Sequence, residues 1–323
     1  MDQGARGDGH VRPRSHGRFA HEVVFYDGAD DRARALLPFV CEGVELGEPV
    51  LLVLRADAIE ALRDELRREL GSDHHAVEFA DMAEVGANPA RIIPAWRRFV
   101  AEHADGGRVR GIGEPVWAGR RDDEIVEAQL HEGLLNLAFE DGPGWHLICP
   151  YDTSVLPESV VEEARRSHPL VNDPERPSSG YRGHDYAMEA FGSRLPEAPR
   201  WAHRLPFTLE SLTEVRERVQ RAGRHAGLAD DVVEDLVLAA HELASNSIVH
   251  ATGEGVLMVW AEPDALVVEV RDHGHIDDPL VGRAEPDHQA LGGRGIWMAN
   301  QLCDLVQVRS DGTGTQVRLR AWR

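Results

Sequence analysis

Two unlike halves are predicted, a parallel α/β domain followed by an α+β domain, and three observations predict them. Between His21 and Pro169, short apolar runs alternate with helical periodicity. Residues 172–200 then become rich in Pro, Ser, Gly and Arg, as in Asn172-Asp-Pro-Glu-Arg-Pro-Ser-Ser-Gly. Beyond Leu205 the order changes to two helices and then strands joined by tight-turn sequences.

In the first half the strand candidates are His21-Glu-Val-Val-Phe-Tyr, Pro49-Val-Leu-Leu-Val-Leu, Ala76-Val-Glu-Phe, Arg108-Val-Arg-Gly-Ile-Gly and Trp145-His-Leu-Ile-Cys. Helical patterns run over 31–46, 56–70, 89–104, 123–139 and 157–167. Alternation of this kind predicts a doubly wound parallel sheet. Within 172–200 only 186–191 has a helical pattern. In the second half helices are expected at 209–226, 230–250 and 293–302, and strands at 256–262, 266–272, 305–310 and 316–321. Glu262-Pro-Asp-Ala and Asp311-Gly-Thr-Gly are turn sequences between adjacent strands, which makes this sheet antiparallel. The expected division is a disordered tail over 1–18, a first domain over 19–171, a Pro-rich linker over 172–204 and a second domain over 205–323. A chain of 323 residues, 42% hydrophobic, can bury two cores.

Composition excludes several functions. A net charge of -21 disfavours a broad grip on nucleic acid or an anionic membrane, both of which need clustered positive charge. All 35 basic residues are arginine. Without lysine there is no Walker-type P-loop, no protein kinase of the kind that places a strand lysine on the phosphates, and no Schiff-base chemistry. Cys41, Cys149 and Cys303 lie far apart, and by spacing they indicate neither a disulfide framework nor a zinc site. The longest aliphatic run, Val50 to Leu54, is too short to span a bilayer, and the chain is expected in a reducing cytoplasm.

The chemistry concentrates in the last third. Glu242 and Asn246 are four residues apart on one helix and share a face, with His250 one turn further. Asn carbonyls complete Mg²⁺ shells beside phosphates, and a neighbouring Glu can polarise a hydroxyl or water. Asp272 ends a Val-rich strand two residues before Gly274, where it can accept a hydrogen bond from an exocyclic amine. Gly292-Gly293-Arg294-Gly295 opens a helix whose amides and dipole can hold phosphate oxygens, with Arg294 adding a charge-assisted contact. Each piece alone is also a common structural feature: a solvated helix face, a strand-ending turn, a flexible connector.

In combination and order these segments resemble the ATP-binding domain of the GHKL superfamily, and most closely its anti-sigma-factor serine kinase branch, over Leu205 to Arg323. The resemblance implies ATP and Mg²⁺ as cofactors in a two-layer α+β sandwich. It makes Glu242 the catalytic carboxylate and Asn246 the Mg²⁺ ligand. It also assigns Asp272 to the adenine amine, Gly274 beside it, Gly293 and Gly295 to the lid, and Thr315 near the adenine. Ile276 stands where the wider superfamily often has a glycine, which alters the backbone's approach to nucleotide.

A histidine kinase-like protein would need a phosphoacceptor His on a dimerising helical hairpin before the ATP domain, and the Pro-rich segment does not supply one. His241 precedes Glu242 but faces another side of the helix. Transfer to a Ser or Thr of a separate protein is therefore expected, with a sigma factor or an anti-sigma antagonist as partner. The alternatives are a non-catalytic ATP-dependent switch and a scaffold of two degenerate ATPase folds.

The words His21-Glu-Val-Val-Phe-Tyr-Asp, Cys41-Glu-Gly-Val-Glu-Leu-Gly-Glu-Pro-Val, Gly113-Glu-Pro-Val-Trp117, Glu132-Gly-Leu-Leu-Asn136, Cys149-Pro-Tyr-Asp and His168-Pro resemble the MEDS sensory domain, over His21 to Val171. That family implies a RecA-like fold without a nucleotide loop, binding an unidentified small molecule, and family analogy allows a homodimer. Glu114, Trp117 and Tyr151 fall at strand carboxyl ends, where open parallel sheets bind ligands, and are the candidate sensory pocket.

Overall fold

The computed structural model describes residues 18–103, 107–286 and 294–323. In the first half, the chain runs β1 (Ala20–Tyr26), α1 (Ala29–Glu45), β2 (Val50–Leu54), α2 (Ala56–Leu70), β3 (Val77–Asp81), α3 (Met82–Val85), α4 (Ile92–His103), β4 (Val109–Gly113), α5 (Asp122–Ala138), β5 (Trp145–Asp152), α6 (Glu158–Ser167) and the two-residue β6 (Leu170–Val171). The strands pair in parallel in the order β3-β2-β4-β5-β1-β6.

Strand side chains alternate between faces, and both faces here are apolar, as a sheet covered on two sides requires. Val24, Leu52, Leu54 and Ile148 pack on Leu36 and Phe39 of α1 and Leu62 and Leu66 of α2. Val23, Val53, Leu147 and Tyr151 pack in the opposite layer with Ile92, Trp96, Leu134 and Val160 of α4, α5 and α6. The doubly wound parallel sheet expected from the sequence is therefore present.

Residues 172–204 contain one helix, α7 (His184–Gly192). Its Tyr186, Ala187 and Phe191 are buried, and it packs on α5, so this Pro-rich stretch is seated on the protein and not loosely tethered.

The second half comprises β7 (His203–Thr208), α8 (Leu212–His225), α9 (Asp230–His250), β8 (Glu254–Ala261), β9 (Ala265–Asp272), α10 (Arg294–Leu302), β10 (Leu305–Asp311) and β11 (Gly314–Trp322). The antiparallel sheet has the order β10-β11-β9-β8-β7. Strand β7 has no counterpart in the sequence expectation. It is an edge strand with mostly exposed side chains and Pro206 within it, and an edge is where a sheet tolerates proline. Helices α8, α9 and α10 cover one face through Val215, Val219, Leu236, Leu243, Ile296 and Ala299.

The other face combines an apolar cluster of Met258, Trp260 and Val267, covered by Ala198 and Ala202, with buried charge. Glu269 is fully buried and accepts from Arg318 Nε at 2.6 Å and from Arg271. Arg320 Nη2 lies 2.7 Å from Asp123 at the start of α5.

Contacts between the halves fix the element nearest the candidate site. Arg91, just before α4, donates to three carbonyls at the end of α10: Nε to Asn300 O at 2.7 Å, and Nη2 to Gln301 O at 2.9 Å and Cys303 O at 3.0 Å. A helix C-terminus leaves its last carbonyls unpaired and partly negative, so a guanidinium there both satisfies and neutralises them. Asn88 Nδ2 adds a bond to Asn300 O at 3.2 Å. Glu127 of α5 is 1% exposed and accepts from Gln307 Nε2 at 3.2 Å and from Arg309. Its other oxygen lies 3.9 Å from Arg283, in the segment between β9 and α10. Burial pulls the Arg283 guanidinium down to about 10, with Glu127 acting against that fall.

Gly314 holds the β10–β11 turn against β9. Its φ is +145°, and a Cβ there would run into the Asp272 carbonyl oxygen. Gly314→Ala is expected to destabilise the protein by about 1–3 kcal/mol through backbone strain and this clash, read by urea unfolding; an unchanged midpoint would contradict the assignment.

Candidate functional site

Helix α9 runs from Asp230 to His250, as periodicity predicts, with Asp230 and Asp231 in its first turn complementing the dipole. Its last turns place Asn246, Ser247 and His250 over the ends of β9 and β11. With Asp272, Gly274, Ile276, Val281, Ile296 and Thr315 they line a cavity of about 190 Å³. The remaining walls, Leu243, Val270 and Val317, are apolar. An apolar slot with a few fixed polar groups is the usual form of a small-molecule site.

The polar groups are held from behind. Asp272 pairs in register with Thr315 across β9 and β11. Its Oδ1 accepts from Gly274 N at 2.7 Å and its Oδ2 from Ser247 Oγ at 2.5 Å. Each oxygen keeps a further lone pair, so the carboxylate is oriented and can still accept from a ligand amine. Thr315 Oγ1 lies 2.9 Å from the Gly274 carbonyl and 3.0 Å from Ser310 Oγ, and Ser310 Oγ in turn accepts from Ile276 N at 2.9 Å. Ser247 and Ser310 were not singled out from sequence. Ser247 adjoins Asn246, but only the fold shows that its hydroxyl reaches Asp272, 25 positions away.

The structure thus brings Asn246, Asp272, Gly274 and Thr315 to one cavity. Gly295, the second residue of α10, is buried against the Asn246 side chain; a Cβ there would strike the Asn246 amide and displace it. Arg294 lies at the exposed first position of α10. Gly293 lies outside the described residues. Glu242 is half-buried one turn before Asn246 on α9 and is not among the cavity's lining residues. Ile276 serves as a wall of the cavity. Together with Val281 it also packs against the core of the first half, so two lining residues are shared with that half.

Among the described residues, no hydrogen bond or ring contact joins the three residues proposed for a sensory pocket, and each has a different partner. Glu114, just past β4, is 6% exposed and accepts from Tyr26 OH at 3.4 Å. Trp117 is half-buried beneath the Arg120 guanidinium, 4.3 Å from its ring centre. Tyr151 is buried and donates to Glu132 Oε1 at 3.3 Å.

Burial pushes the Glu114 carboxyl up from 4.5 to about 7, against the pull of Arg32. The folded state therefore holds the proton more tightly than the unfolded chain. The resulting stability is fully present below pH 4.5 and is lost as the pH rises through about 7. Glu114→Gln should remove roughly 3 kcal/mol of the pH dependence of unfolding between about pH 4 and about pH 8. Parallel profiles for the two proteins would contradict this.

Two family models match separate parts of the chain. Residues 20–169 match the family model described as MEDS, the methanogen/methylotroph DcmR sensory domain. Residues 205–321 match that of the histidine kinase-like ATPase domain. No curated protein matches the chain. A crystal structure of the RsbU and RsbW domains of a Mycobacterium tuberculosis protein is 20% identical over 38% of this chain and 33% of that one, with a TM-score of 0.28. The chain therefore spans about a third of that relative's length, and a likeness of this degree carries no functional argument. No helix among the described residues is long and apolar enough to cross a membrane. The chain carries a MEDS domain over residues 20–169 and a histidine kinase-like ATPase domain over residues 205–321.

Proposed function

We propose that the first domain senses a small molecule and thereby controls ATP-dependent phosphoryl transfer by the second to a Ser or Thr of a partner protein. The partner class proposed is a sigma factor or an anti-sigma antagonist. The observation that carries the ATP part is the cavity, in which an anchored Asp272, Thr315 and Asn246 face apolar walls at the start of a helix.

The residues present fit a nucleotide. Asp272 has an acceptor to spare for the adenine amine, the apolar walls suit a planar base, and the N-terminus of α10 beside Asn246 suits phosphate oxygens. Asn246 would hold Mg²⁺, which when bound neutralises charge on the phosphates. Glu242 is the proposed base: it takes the proton of the partner hydroxyl as that oxygen bonds to the γ-phosphorus, and the bridging bond breaks to release ADP.

Control runs through the shared contacts. Arg91 of the first domain caps α10, Glu127 faces Arg283, and Ile276 and Val281 belong at once to the cavity wall and to the packing of the first domain. A ligand that moves α4 or α5 shifts these groups together.

One observation favours a second reading. Glu242 stands outside the cavity lining, which suits a switch that binds ATP and alters partner affinity without turnover. Two substitutions separate the readings when the protein is incubated with labelled ATP and partner. Under the kinase reading, Glu242→Gln lowers the rate of Ser/Thr labelling at least 10²-fold while ATP still binds, and Asn246→Ala weakens Mg·ATP binding itself. Partner regulation that survives Glu242→Gln but not Asn246→Ala identifies the switch. Label found on histidine in an acid-labile linkage would overturn transfer to Ser or Thr.

A further inference from the structure

Four side chains from distant parts of the first domain converge in its interior: His21 on β1, Glu132 on α5, Cys149 on β5 and His168 just after α6. All are 0–1% exposed. One donor atom from each lies within 4.8 Å of all the others. His21 Nε2 is 3.1 Å from Glu132 Oε2 and 3.3 Å from Cys149 Sγ, and His168 Nε2 is 3.4 Å from Glu132 Oε2.

The hydrogen bonds behind these groups fix their orientation. Asn136 Nδ2 donates to Ser167 O at 2.8 Å, which turns its Oδ1 toward His21 Nδ1 at 3.1 Å. That contact requires the proton to sit on His21 Nδ1. His168 Nδ1 lies 2.7 Å from the Ala164 carbonyl, so its proton is on Nδ1 too. In the neutral tautomer each imidazole therefore directs a bare Nε2 lone pair at the same carboxylate oxygen. His168 Nε2 has no hydrogen-bond partner although it is fully buried. The Cys149 thiol donates to Glu132 Oε2 at 3.4 Å, but the two imidazole lone pairs and the carboxylate still converge in a fully buried interior, where a cation between them would relieve their repulsion. One proton on His21 Nε2 would pair it with Glu132 and leave the buried His168 Nε2 without a partner, while a proton on both rings would set two positive charges against one carboxylate, with ring centres 4.1 Å apart.

We propose that this cluster is a binding site for one divalent transition metal of the zinc class, with His21 Nε2, Glu132 Oε2, Cys149 Sγ and His168 Nε2 as ligands. A tetrahedral ion bonded to nitrogen, oxygen and sulfur at about 2.0–2.3 Å has ligand atoms about 3.3–3.7 Å apart, near the 3.1, 3.3 and 3.4 Å separations given above and inside the 4.8 Å that encloses the whole set. Two imidazoles with a thiolate and a carboxylate suit zinc or cobalt better than the hard ions Mg²⁺ or Ca²⁺. Asn136, the Ala164 carbonyl and the Tyr151 hydroxyl on Glu132 Oε1 form the supporting shell that metal-bound imidazoles and carboxylates normally have. Four protein ligands close the shell, so the ion ties β1, β5, α5 and the end of α6 together and is not itself a hydrolytic centre. The spacing of the cysteines indicates no zinc site because the ligands come from four separate elements, with His21 and Glu132 111 positions apart.

The test uses the full chain, expressed in zinc- or cobalt-supplemented medium and exchanged into metal-free buffer. Elemental analysis should find about one metal per chain, and the cobalt form should show thiolate-to-metal charge-transfer absorption with the intensity of a tetrahedral centre. Cys149→Ser should abolish the charge-transfer band, whereas Cys41→Ser and Cys303→Ser should keep it. Stripping the metal from the wild-type chain with a chelator should lower its melting temperature. Wild-type protein that carries no bound zinc or cobalt after growth in supplemented medium would overturn the site, as would a charge-transfer band surviving in Cys149→Ser. Because the wild-type stoichiometry decides the question alone, a variant that fails to fold leaves the test intact.

Discussion

The short helix α10 is held at both ends by different halves of the molecule, and the geometry of the candidate cavity depends on that. At its start Gly295 lies against Asn246; at its end Arg91 of the sensory domain satisfies three carbonyls that the helix itself cannot pair. Nine residues span about 13 Å, so a rigid strut of that length separates the cap from the site. Asn300 joins the rest: its carbonyl accepts from Asn88 and Arg91, while its amide donates to Gly282 O at 2.9 Å in the segment leading to α10.

Buried charge makes this junction specific. Removing a carboxylate and several guanidiniums from water is costly unless they are paired, and Glu127 with Arg309 and Gln307 meets that demand only across the two halves. Arg283 is less well served. It sits 3.9 Å from Glu127, its Nη1 has no hydrogen-bond partner, and burial lowers its pKa. Helix α5 presents Glu127 to this junction and, five residues on, Glu132 to the buried His/Cys cluster.

Much of this was legible in sequence, and the rest was hidden for identifiable reasons. Helices α2 and α9 have the predicted bounds because their apolar periodicity is long and unbroken. Asn246, Asp272, Gly274 and Thr315 share a cavity because strand register and helix face follow from local pattern. Strand β7 was not anticipated, since Pro206 and an exposed face mask it. The segment over 172–204 reads as a tether by composition, yet Tyr186 and Phe191 seat it on α5. Ile276 reads as a departure from the superfamily's glycine and is a wall of the cavity. Ser247 on Asp272 and Arg91 on α10 depend on tertiary approach, which no local pattern encodes. For the same reason Glu114, Trp117 and Tyr151 share a position at the strand ends without sharing contacts.

Titration calorimetry of Mg·ATP against the wild-type chain and Arg91→Ala tests the coupling most directly, because Arg91 lies in the first half and outside the cavity proposed for ATP. The account predicts several-fold weaker binding in the variant, with the parallel sheet still folded by circular dichroism. An unchanged dissociation constant would contradict the claim that the sensory half holds the ATP site through α10.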